Sequence, residues 1–75
     1  MRYELIREIY NQCSNNQMRD VFVSEVDTSD PALVMSHYCN SSEDVLERED
    51  LGNGVVCFHL VSHGLRQRFT FTPDD

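Results

Sequence analysis

Between residues 54 and 72, two runs rich in β-branched and aromatic residues flank the pair His63-Gly64. In the second run, residues 65–72, Leu65, Phe69 and Phe71 fall on one side and Arg66, Arg68, Thr70 and Thr72 on the other. That is the period of a strand with one apolar and one wet face. The glycine between the runs suits the positive φ of a tight hairpin turn. With His63-Gly64 as a two-residue loop, Ser62 faces Leu65. The register then continues through His59 with Arg68, Phe58 with Phe69, Cys57 with Thr70 and Val56 with Phe71. The aromatic side chains fall together, as a register chosen by an apolar face requires. Phe58, Phe69 and Phe71 are therefore expected in the core.

Upstream, the pattern predicts a helix over residues 3–13. Leu5, Ile6, Ile9, Tyr10 and Cys13 follow the spacing of one helical face, and Glu4, Arg7, Glu8 and Asn11 form the other. A polar stop follows at residues 14–17. Residues 20–26 read as a strand, with Phe22 and Val26 on one face and Val21 and Val23 on the other. Apolar residues on both sides predict a central strand. Asp30 and Pro31 suit an N-cap and a first helical turn, opening a helix over residues 31–38 with Leu33, Val34, Met35 and Tyr38 as core contacts. Residues 43–51 fit helix or strand by composition. Their place before Gly52-Asn53-Gly54 favours a strand feeding a second hairpin. Residues 72–75 read as a solvated tail. The resulting expectation is one α+β domain over residues 1–75, ordered α-β-α-β-β-β. It has one mainly antiparallel four-stranded sheet, whose last three strands form a meander, and both helices on one face.

Composition narrows the function classes. The 75 residues hold 13 acidic and 6 basic side chains, a formal charge of −7, and every basic residue is arginine. Such a charge disfavours direct binding to nucleic acid or to an anionic membrane, because both are polyanions. No run approaches the ~18 apolar residues of a membrane span, and the charged first residues offer no signal-peptide core. The expected location is the cytoplasm. Cys13, Cys39 and Cys57 are odd in number and lack CxxC spacing, so they read as reduced thiols packed as small hydrophobes.

The wet face of the hairpin carries most of the candidate chemistry. If Gly52-Asn53-Gly54 is a three-residue loop, Glu47 lies beside His59 and Glu49 beside Cys57. An acid–histidine–arginine ladder then crosses that face. It reads as cross-strand charge pairing on a solvated sheet ahead of a groove for an anion or a partner. Cys57-x-His59 places two metal-ligand types on one strand face, with His37, Cys39 or His63 as candidates to complete a tetrahedron. However, His37 and Cys39 diverge on a helix and no pair has zinc-finger spacing, so neither a metal nor a cofactor is expected. Cys–His nucleophilic catalysis would need an orienting group and an oxyanion hole, and no Gly-rich phosphate loop is present. No catalytic residue and no enzymatic activity are expected.

What remains is a surface. Val21, Val23, Val55 and Val61 are apolar residues on the face opposite the helices, which suggests that something covers it. With His59, Arg66 and Arg68 they form the candidate interaction face. The leading expectation is a small non-enzymatic protein acting through protein–protein contact, a second copy of itself being the simplest partner. Two alternatives stand beside it. One is an acidic inhibitor or nucleic-acid mimic directed at a basic protein, built on Glu43, Asp44, Glu47, Glu49 and Asp50. The other is a minor metal- or small-ligand-binding module. No residue pattern in the chain carries a family resemblance. The metal expectation has a direct check: the cooperative melt should be unchanged by a chelator, and loss of the fold on chelation would overturn it.

Overall fold

The structure is a computed structural model and describes residues 1–10, 19–39, 44–62 and 64–74. Its elements are β1 (Arg2–Tyr10), β2 (Arg19–Asp27), α1 (Pro31–Met35), β3 (Val45–Gly52), β4 (Val55–Ser62) and β5 (Leu65–Pro73). The strands form one five-stranded sheet in the order β2-β1-β5-β4-β3, and every neighbouring pair is antiparallel. The hairpin β1–β2 and the meander β3–β4–β5 are thus joined twice, by the connection through α1 and by the pairing of β1 with β5.

This overturns the expected α+β fold with two helices on a four-stranded sheet. The segment expected as a helix over residues 3–13 is a strand as far as Tyr10, and residues 11–18 lie outside the described part. Its apolar residues fit either period, since Tyr3, Leu5 and Ile9 also alternate. As a strand the segment carries a charge on each face, Arg7 and Glu8. Both are satisfied by β5, sixty residues away. Arg7 donates from Nε and Nη2 to Gln67 Oε1 at 3.2 and 3.0 Å. Its guanidinium also lies over the rings of Tyr38 and Phe69, at 5.1 and 5.6 Å from their centroids. Glu8 is held by Arg68 on the opposite face. With both charges placed, the β-branched and aromatic residues of the segment favour strand.

A second correction follows. With β1 as its neighbour, β2 is an edge strand instead of a central one. Val21, Phe22 and Val23 are 52, 53 and 65% exposed. The second helix is also shorter than expected, ending at Met35 and continuing only as a turn. Asp30 does cap it, accepting from the Ala32 N–H at 3.0 Å, and Pro31 opens it. The hairpins follow their expected registers. Phe58 faces Phe69 and Val56 faces Phe71, and Ser62 faces Leu65. His63 itself lies outside the described residues. At the other hairpin Asn53 and Gly54 have φ of 55 and 80°, the pattern of a two-residue type I′ turn. A bulge between Asp50 and Gly52 then brings Glu47 opposite His59 and Glu49 opposite Cys57.

One face of the sheet is the core. Tyr3, Leu5, Val56, Phe58, Leu60, Phe69 and Phe71 form it, and the fully buried Met35 seals it from α1. Phe71 receives Tyr3 and Phe58 edge-on, at centroid distances of 6.3 and 5.8 Å, the arrangement favoured by the ring quadrupole. Leu33 points away and is exposed. Phe69→Ala should therefore cost about 3–5 kcal/mol, whereas Leu33→Ala should stay within about 0.5 kcal/mol. Urea melts of the two variants check this.

Candidate functional site on the second sheet face

Strand alternation carries the other half of each strand to the face opposite α1. The registers place all seven residues of the expected interaction face there: Val21, Val23, Val55, His59, Val61, Arg66 and Arg68. They do not form one patch. Val21 and Val23 stand on the β2 edge, while Val55, His59 and Val61 are on β4, with β1 and β5 between. One cross-strand row reads Val21, Glu8, Arg68, His59, Glu47. The next reads Val23, Ile6, Thr70, Cys57, Glu49.

The centre of the first row is an ion pair that the sequence reading had not found. Glu8 is only 5% exposed, and Arg68 donates to its Oε1 from Nε at 2.9 Å and from Nη2 at 2.6 Å. These hydrogen bonds are the main reason that the Arg68 guanidinium holds its proton even more firmly than usual. Charge-assisted bonds from two guanidinium nitrogens fix orientation as well as supplying energy. The signal for this pair was cross-strand: an acid on β1 facing an arginine on β5, visible only once residues 2–10 are taken as a strand.

Beside it lies a compact group of three ligand types. Cys57 Sγ is 3.7 Å from His59 Nε2, and His59 Nε2 is 3.7 Å from Glu49 Oε1. All three atoms lie within 4.8 Å of one another. The geometry follows from the strands: Cys57 and His59 are two apart on β4 and share a face, and Glu49 is the direct cross-strand neighbour of Cys57. Cys57 is buried at the floor, with His59 and Glu49 standing more exposed around it. The Thr70 hydroxyl donates to Cys57 Sγ at 3.9 Å. Burial pushes the Cys57 thiol up, against the smaller opposing effects of Thr70 and Arg68. His37, in the turn after α1, and Cys39, packed against the core on the other face, take no part in this group. Cys13 and His63 lie outside the described residues.

Toward one end of the face, Tyr10, Val45, Glu47, His59, Val61 and Arg66 line a depression of about 540 Å³. The acidic run on β3 does not form one track. Glu47 and Glu49 face this side, while Arg48 and Asp50 face the other and pair at 3.3 Å. Compared with protein-family models, curated proteins and solved structures, the chain matches none.

The Glu8–Arg68 pair yields a stability prediction. Removing one partner of a buried pair costs ~3–5 kcal/mol, and the partial exposure of Arg68 reduces this through solvent screening. Arg68→Met should therefore destabilise by about 1–3 kcal/mol. Denaturant titration at neutral pH measures it.

Proposed function

We propose that this protein is a non-enzymatic module acting through protein–protein contact, and that its partner is a second copy paired along β2. The observation that carries the reading is the exposure of three consecutive apolar residues, Val21, Phe22 and Val23, on an edge strand. Among the described residues no strand pairs with the outer edge of β2. A long edge with apolar side chains on both faces is a template for another strand, and natural proteins ordinarily blunt such edges with charge or proline.

The sequence of β2 is self-complementary about Phe22. In an antiparallel pair with the two-fold axis at that residue, Phe22 meets its own copy and Val21 meets Val23 in both directions. Arg19 then stands at the register position opposite Glu25, and Asp20 opposite Ser24. Apolar positions fall against apolar ones and opposite charges against each other, as an isologous interface requires. Fully burying each such valine or phenylalanine is worth about 1.5–3 kcal/mol. Three from each copy compete with an association cost of about 4–15 kcal/mol, so the expected dimer is a modest one. The charge of −7 on each copy opposes it.

Sedimentation at tens of micromolar should find a dimer that tightens modestly as salt screens the repulsion. Phe22→Asp should return it to monomer while the melt stays cooperative. A native chain that remains monomeric across concentration and salt would refute the reading. So would capture of a basic protein by an interaction that collapses with rising salt, which would put the acidic-mimic reading in its place.

A further inference from the structure

The structure points to a second site with a different chemistry. We propose that Glu49, Cys57 and His59 bind one divalent transition-metal ion of the zinc class on the face opposite the core. In tetrahedral coordination, bonds of ~2.0–2.3 Å put neighbouring ligand atoms ~3.4–3.6 Å apart. The Cys57–His59 and His59–Glu49 separations are both 3.7 Å, so two edges of that tetrahedron are already in place. The third pair lies within 4.8 Å and closes by rotation of the exposed Glu49 side chain.

The donor set agrees with the geometry. Thiolate, imidazole and carboxylate together favour zinc-like ions over the hard cations magnesium and calcium, which take oxygen ligands. Three protein ligands leave a fourth position toward solvent, the arrangement of an open site. The surroundings supply what an outer shell supplies elsewhere, since the Thr70 hydroxyl bonds the sulfur. Arg68, the cation directly across from His59, is paired with Glu8, which reduces its repulsion toward an incoming ion. Binding forms a sulfur–metal bond and releases the Cys57 thiol proton to the buffer, with no change of oxidation state.

This departs from the expectation drawn from spacing along the chain, because the third ligand comes from the neighbouring strand. It does not make the metal structural, because the core lies on the other face. The site is also remote from the β2 edge, with β1 and β5 between them, so it stands or falls independently of dimerisation.

Cobalt(II) titration of the full chain, reduced with a phosphine that does not compete for metal, tests the proposal. The expected result is one equivalent bound, with a thiolate-to-cobalt charge-transfer band and displacement of cobalt by zinc. Cys57→Ser should abolish that band, whereas the double variant Cys13→Ser, Cys39→Ser should retain it. Should Cys57→Ser fail to fold, the surface variants His59→Ala and Glu49→Gln decide. Each should weaken binding by more than about tenfold, a loss that even outer-shell changes reach. Absence of a charge-transfer band in the native protein overturns the proposal. So does a band that follows Cys13 or Cys39, or unchanged affinity in both surface variants.

Discussion

The pairing of β1 with β5 turns two local hairpin units into one protein. It joins residues some sixty positions apart, and its two sides are held by different physics. On the core side Leu5 lies against Phe71 and Arg7 against Phe69, burying aromatic area under Met35 and Tyr38. On the other side Glu8 and Arg68 form a two-bond ion pair. Closing so long a loop carries an entropic cost, which apolar burial and the charge pair offset together. The register of this one pairing also decides what both faces contain. A slip by one residue would carry Leu5 to the wet side and Glu8 into the core.

Local pattern made the meander legible and left that pairing hidden. The registers of β3–β4 and β4–β5 follow from short turns and from an apolar face that allows only one alignment, so the neighbours of His59 and Cys57 could be read from residues 43–72 alone. Residues 2–10 could not be read in the same way. Their apolar positions satisfy the helical period, and the evidence against a helix sits on β5, where Gln67 and Arg68 receive Arg7 and Glu8. From that one segment the misplacement of β2 follows. A helix there leaves β2 without its true neighbour, which made a strand with apolar residues on both sides look central. On an edge strand Phe22 is exposed beside Val21 and Val23, and the meaning of that one residue changes from core to edge surface.

The same asymmetry runs through the candidate sites. The ladder on the second face was legible because it belongs to the meander, and Glu47, Glu49, Cys57 and His59 stand where the hairpin registers put them. The ligand group was less so. Metal motifs are recognised by spacing along a chain, and a ligand that approaches across a sheet has no fixed spacing. Glu49 is eight positions from Cys57, with a turn and a bulge between them. Only the register converts that separation into adjacency.

The distribution of rigidity separates the two proposed surfaces. Glu49, Cys57 and His59 ride on β3 and β4, and β4 is flanked by paired strands and backed by Phe58 and Leu60 in the core. Cys57 and His59 on that backbone keep their mutual distance, a condition for preorganisation, while Glu49, exposed on the edge strand β3, would be the adjustable third ligand of the proposed site. β2, like β3, has a paired strand on one side only, and its middle residues Val21, Phe22 and Val23 are exposed. Backbone groups on a free strand edge are satisfied by water in a monomer and by a partner strand in a dimer, so the proposed association would change this edge without disturbing the core. On the two proposals, the coordination chemistry would centre on the core-backed strand β4 and the contact surface on the β2 edge. The Glu8–Arg68 pair stands between them and keeps the central strands in register.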